Sequence, residues 1–235
     1  MSFELTQNQT PQESTPKAKV EIESAFDSYV PEEFRNSPIK YFEEKGQNIK
    51  SGEVRHDETG RIREDPTAVK DFPVWKNSEG QELWTVGKRV NNKKAKVGLS
   101  GDPFYEYKIM EIAQELGLPA PRPVAKAEEG GSHFIVMERV NGIRWSDRDS
   151  LHLNEKGYSA EDIERLKKQA ELMTEELGQK FEEAGIIRKW HAKDMIFDLD
   201  VEGKIIKAIT PTDWERTTID EERLARARAG MTNKN

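Results

Sequence analysis

The amino-acid sequence predicts an α+β protein built from short strand hairpins and two long amphipathic helices. Three observations predict it. Apolar residues recur at helical spacing in two stretches, Tyr105, Ile109, Ile112, Leu116 and Leu166, Ala170, Met173, Leu177, Phe181, Ala184. The other apolar runs, at 83–90, 124–127, 134–140, 195–197 and 205–209, are short and have the length of strands. Turn-forming residues punctuate them: Asn77-Ser78-Glu79-Gly80, Glu129-Gly130-Gly131-Ser132 and Glu202-Gly203-Lys204.

Composition narrows the function classes. The 235 residues suit one or two domains. With no cysteine, disulfides, thiolate zinc sites and a cysteine nucleophile are excluded. No apolar run approaches a membrane span, and the start Met-Ser-Phe-Glu-Leu-Thr lacks the basic and apolar regions of a secretory signal. These features predict a soluble, cytoplasmic protein without a membrane partner. The net charge of −7 argues against nucleic-acid binding through phosphate contacts. Hydrophobic and charged residues each make up 34%, which predicts a modest core and some disordered chain.

In chain order, residues 1–19, rich in Gln, Thr, Ser, Pro and Lys, read as a disordered tail. Residues 20–71 read as a partly irregular extension. Pro31 and Pro38 suit the entries of two short helices there, and Asp57-Glu58-Thr59-Gly60 suggests a polar hairpin, 53–55 against 61–63. Regular structure is expected from Phe72. A strand over 83–90 carries Gly87-Lys88-Arg89, and a basic, glycine-containing loop follows over 91–101. Asp102 suits an N-cap and Pro103 a first helical residue for the helix that Gly117 stops. A strand over 124–127 and a second over 134–140 follow, and Asn141-Gly142 ends the unit 72–141. Residues 142–235 form the second unit. Its first part, 146–158, is polar and loop-like. Ser159, with Asp162 three residues on, approaches a capping box for the long helix ending at Gly185. The charged stretch 220–229 reads as a solvated helix.

The stretch 183–218 carries the chemistry. Asp194 opens the hairpin formed by 195–197 and 205–209, and Asp213 closes it. Antiparallel pairing brings the open ends of a hairpin together, so the two carboxylates are expected to be neighbours. Such a pair repels itself unless a cation lies between, and Mg²⁺ is the usual occupant, held by one or two carboxylates plus substrate phosphates. An acidic surface hairpin is the plainer alternative.

From about Leu83 to Thr217 the chain resembles the protein-kinase-like superfamily, nearest its aminoglycoside phosphotransferase and choline kinase branch. Four segments carry the resemblance: 106–121 (a C-helix running into "GLPVP"), Phe134-Ile-Val-Met-Glu-Arg-Val-Asn-Gly142 ("lvmERvpG"), His191-Ala-Lys-Asp-Met-Ile-Phe-Asp198 ("HPGNILVD") and Thr212-Asp-Trp-Glu215 ("IDWE"). The resemblance implies a bilobal fold with a small antiparallel N-terminal sheet and a minimal helical C-lobe. It also implies ATP and Mg²⁺ as cofactors and a small-molecule or protein hydroxyl as acceptor. Asp213 and Asp194 take the two metal-ligand positions. Glu106 matches the glutamate that pairs with a strand lysine on the ATP phosphates. That lysine is Lys88, 18 residues earlier, or its rival Lys96. Residues 137–140, with Glu138 and Val140, match the hinge whose backbone faces the adenine. His191 could orient the loop.

The departures from the pattern are specific. The catalytic aspartate of the family lies five residues before the metal-binding Asn, which here is Lys189. A lysine accepts a hydroxyl proton only with a strongly depressed pKa. A second register makes Asp194 catalytic and Asp198 the metal ligand. No GxGxxG loop is present. Three readings follow: an ATP/Mg²⁺-dependent phosphotransferase with an atypical catalytic loop, a pseudokinase serving as a nucleotide-binding or interaction module, or an unrelated α+β binding protein.

Overall fold

The computed structural model describes residues 18–48, 69–90, 101–144, 153, 157–200, 202, 204–214 and 216–232. The expected polar hairpin over 53–63 and Lys96 lie outside them. The protein is α+β, with an antiparallel sheet as its main layer.

The chain enters through β1 (Lys19–Ile22), then two short helices, α1 (Glu32–Asn36) and α2 (Pro38–Glu44). Pro38 takes the first helical position of α2, where its missing N–H is no loss. Next come β2 (Gln47–Asn48), β3 (Val69–Asp71), β4 (Trp75–Lys76), β5 (Glu82–Leu83) and β6 (Thr85–Val90). Helix α3 (Tyr105–Glu115) precedes the hairpin of β7 (Pro123–Glu129) and β8 (Ser132–Glu138). Six strands form one antiparallel sheet in the order β1-β7-β8-β6-β3-β2. The expected tail is therefore shorter than 1–19, because Lys19 already pairs with Glu128.

Period-two alternation divides the side chains of the sheet between two cores. Phe134 and Val136 face one side, where Phe26, Phe34, Tyr41, Phe42, Phe72 and Trp75 pack over them. The rings of Phe26, Phe34, Tyr41 and Phe42, from the stretch read as an extension, thus cover this face of the sheet. Gly87, opposite Val136, leaves room for the Phe72 ring, whose Cζ would lie 2.3 Å from a Cβ placed there. Ile135 and Met137 face the other side and join α3 through Tyr107, Ile109 and Met110.

That second core continues into the C-terminal half. After β9 (Ile143–Arg144), helix α4 (Ala160–Glu183) starts at a full capping box, with the Asp162 amide donating to Ser159 Oγ and the Ser159 amide to Asp162 Oδ2, both at 3.1 Å. Leu166, Ala170, Leu177 and Phe181 form its buried stripe. Gly185, at φ 84°, turns the chain into β10 (Ile186–Ile187). Then follow β11 (Met195–Asp200), β12 (Ile205–Pro211), β13 (Thr218–Ile219) and α5 (Glu221–Thr232). The strands pair as β12-β11-β9 and β10-β13. Helix α5 is not wholly solvated, since Leu224 is buried in the same core. Among the described residues, no helix is long and apolar enough to cross a membrane.

Helix α3 begins two residues later than the sequence suggests. Asp102 Oδ1 accepts the Phe104 amide at 2.8 Å and its carbonyl accepts the Tyr105 amide at 3.2 Å, so Asp102 closes a turn ahead of the helix.

Candidate functional site

Lys88 lies in β6, a central strand, opposite Ile135 in β8 and Val69 in β3. Register therefore sends its side chain to the face that carries Ile135 and α3. Glu106 sits in the first turn of α3, where the helix dipole favours a carboxylate. The two meet: Lys88 Nζ lies 2.9 and 2.7 Å from Glu106 Oε1 and Oε2. Their side chains are 8% and 11% exposed. A pair this dry is weak evidence for stability, because desolvating both charges can cost more than their attraction returns.

Helix α3 is held at both ends. The hydroxyl of Tyr107 donates to Glu23 Oε1 at 3.0 Å, and Lys126 stands 5.6 Å from the centroid of the same ring. Burial, first, and then Glu23 push the Tyr107 hydroxyl pKa far above its usual value, so it stays a donor. At the far end Arg228 of α5 grips Glu115 at 2.9 and 2.6 Å.

The second group of residues is built by two ladders. Strands β10 and β13 pair at one end, with the Asp220 amide donating to the Gly185 carbonyl at 2.8 Å. Strands β11 and β12 pair at the other, with Met195 opposite Pro211. The connections 188–194 and 212–217 are thereby forced alongside each other. The Thr212 amide donates to the Asp194 carbonyl at 3.0 Å, and the Asp194 amide to the His191 carbonyl at 2.9 Å. Phe181 of α4, Trp190 and Trp214 lock both connections onto the helix, with ring centroids 5.2–5.6 Å apart. The indole N–H groups of Trp190 and Trp214 are buried with no hydrogen-bond partner.

Asp194 and Asp213 are neighbours, as the hairpin argument expects, but the group between them is an arginine. Arg188 Nη2 lies 3.2 Å from Asp194 Oδ2 and 3.1 Å from Asp213 Oδ2. Arg188 Nη1 donates to the Asp213 carbonyl, and the guanidinium lies 4.9 Å from the Trp190 ring centroid. The guanidinium of Arg188 thus stands between the two carboxylates, where the expected Mg²⁺ would lie. Among the described residues, no group of three or more His, Asp or Glu side chains could hold a metal ion.

The remaining predicted residues divide as follows. Lys189 and His191 are exposed. Burial alternates from 188 to 191: the side chains of Arg188 and Trp190 are buried, those of Lys189 and His191 exposed. Asp198 is exposed, opposite Ala208, four strand residues beyond Asp194, or roughly 13 Å along β11. That placement separates it from Asp213 and disfavours the second register. In the hinge segment the ladders and neighbouring loops already use most backbone amides. Met137 pairs with Val86 and Pro123, the Glu138 amide donates to Arg122, and the Arg139 amide to Trp84, both at 2.8 Å. Glu138 itself lies 3.6 Å from Arg122 Nε. Val140 lies beyond the end of β8, outside both ladders. Arg188 is the residue that sequence reasoning missed. The signal was its place one residue before Lys189, on chain leaving a strand, where inward and outward positions alternate.

No family model matches the chain, and no curated protein does. Among solved structures, the chain is similar to one described as WaaP in complex with acyl carrier protein. That match has a TM-score of 0.44 at 14% identity, over 90% of this chain and 78% of the other. It is also similar to Rad53 residues 1–466 in complex with AMP-PNP, with a TM-score of 0.40 at 16% identity, over 81% of this chain and 44% of that one.

Proposed function

We propose that the protein is a kinase-like nucleotide-binding module in which Lys88, held by Glu106, contacts the phosphates of ATP. The buried Lys88–Glu106 pair carries this reading. A lysine in the middle of a sheet, aligned by both oxygens of one helical carboxylate, has a fixed position. Val140, past the last ladder bond of β8, is the hinge position whose backbone suits an adenine edge. Ile135 and Met137 share a core with Met195, Phe197 and Trp214, so the sheet face that carries Lys88 is turned toward the half that carries the two acids.

Two observations favour binding without transfer, the pseudokinase reading. The position of the base holds an exposed lysine, Lys189, and not a carboxylate. Arg188 fills the gap between the acids that a phosphotransferase would give to its cation. The second reading is a phosphotransferase with a small-molecule or protein hydroxyl as acceptor. Its support is the convergence of Asp194 and Asp213 on one point, which a pure scaffold does not require. Lys88→Met separates nucleotide binding from a structural role: calorimetric titration with ATP should give saturable binding to the native protein and none to K88M. Equal binding by both would sink the reading. Transfer of labelled phosphate to water or to a protein acceptor, abolished in Asp213→Asn, would select the phosphotransferase over the pseudokinase.

A further inference from the structure

We infer that Arg188 is the resident counter-cation of the Asp194–Asp213 pair and closes that pair to divalent metal ions, so that any nucleotide held here is held without one. The second half of this statement rests on the nucleotide-binding reading; the first half does not.

The guanidinium is fixed from four directions. Nη2 bridges Asp194 Oδ2 and Asp213 Oδ2, Nη1 reaches the Asp213 main chain, and the flat face lies against Trp190. The side chain is 6% exposed. Arginine suits this place for reasons lysine does not share. Its planar fork meets two acceptors at once, it is weakly hydrated, and it stacks on an indole. It also cannot lose its proton to make room for another cation. An incoming metal ion would have to expel a buried, permanently charged group and leave Trp190 and the Asp213 carbonyl uncovered. The main chain of Asp194 is held as well, its amide and its carbonyl both hydrogen-bonded, within the loop and to Thr212.

Segment 188–194 carries Arg188, Lys189 and Lys193. Arg188 meets both acids, while the two lysines are exposed.

The test uses the full chain and two probes, Mn²⁺ and ATP. Electron paramagnetic resonance of Mn²⁺ titrated with native protein should show only the free ion, and ATP should bind equally well in excess chelator and in excess Mg²⁺. In Arg188→Gln, Mn²⁺ should bind, and ATP should bind at least about tenfold more tightly with Mg²⁺ than with chelator, the scale of one close charge pair. Mn²⁺ bound by the native protein and lost in Asp213→Asn would overturn the inference. So would native ATP binding that requires Mg²⁺, although the nucleotide-binding reading would then stand. If no ATP binds in either buffer, that reading falls, and the Mn²⁺ titration of native protein still decides the role of Arg188. Should R188Q fail to fold by circular dichroism, the two native-protein titrations decide alone.

Discussion

Replacing Glu106 by Gln removes a carboxylate that stands 2.7 and 2.9 Å from the Lys88 ammonium, in a site where the lysine side chain is 8% exposed. Breaking one half of a buried pair costs about 3–5 kcal/mol, because the surviving charge has lost its compensation. For a chain of this length each kcal/mol moves the melting temperature by about 2–4 °C, so E106Q should melt roughly 6–20 °C below the native protein. The double variant Lys88→Met, Glu106→Leu replaces the pair by apolar groups of similar volume. It should recover that loss and may be compared directly with native protein, since such swaps are neutral or stabilising by about 1–4 kcal/mol. Urea unfolding of native protein, Lys88→Met, Glu106→Leu and the double variant gives the coupling between the two positions. ATP titration of the double variant supplies the functional arm: it should be stable and unable to bind. An E106Q loss below about 0.5 kcal/mol, the range of ordinary surface substitutions, would show that the pair is solvated and would refute the burial argument. A double variant that binds ATP normally would show that the pair serves packing alone.

Three further outcomes are expected. Gly87→Ala places a Cβ 2.3 Å from Phe72 Cζ, so it should lower stability by about 1–3 kcal/mol in urea, and adding Phe72→Leu should restore part of the loss. Gly185→Ala meets both a φ of 84° and the Asp220 carbonyl at 2.6 Å. It should cost more than the roughly 1 kcal/mol of backbone strain alone and shift thermal melting accordingly. Asp162 is held well below the usual carboxylate range by Lys204 Nζ first and then by the Ser159 amide. A carboxyl lowered on folding contributes stability that is complete above its unfolded value, near pH 4, and is lost as pH falls below it. Melting temperatures between pH 5 and pH 2.5 should therefore fall less steeply in Asp162→Asn than in native protein, and parallel curves would count against the assignment.

Some of this site was legible before any coordinates. Lys88 and Glu106 were paired through the resemblance, with Lys96 as the rival; the strand and the helix that carry them were legible from a short apolar run and a helical stripe. The hairpin that brings Asp194 near Asp213 was legible for the same reason, since a tight turn at 202–204 fixes where the open ends must be. Strand β1 was not. Its four residues, Lys-Val-Glu-Ile, carry only two apolar positions, and the partner of Val20 is Ala127, more than a hundred residues away. Nothing local records such a pairing. Nor did composition show that Phe26, Phe34, Tyr41 and Phe42 cover one face of the sheet, because sparse aromatic residues in a charged segment look the same whether or not a surface awaits them.

Arg188 illustrates a different limit. Sequence reasoning found two acids and asked which cation would sit between them, and the ordinary answer for a pair of carboxylates beside a phosphate site is a metal. The true competitor lay six residues from one acid and twenty-five from the other. Whether it or its neighbour Lys189 points inward depends on a single residue of phase in an extended segment, and one slip exchanges every inward side chain for an outward one. That phase is set by the β10–β13 ladder at one end and by Trp190 packing on Phe181 and Trp214 at the other. The aromatic cluster therefore governs the chemistry of the acids without touching a substrate. Trp190→Ala should release the constraint on Arg188 as well as open a cavity. If Arg188 is what excludes metal, W190A should begin to bind Mn²⁺ where native protein does not. A W190A protein that is folded, still blind to Mn²⁺ and unchanged in ATP affinity would mean that the carboxylates alone hold Arg188 in place.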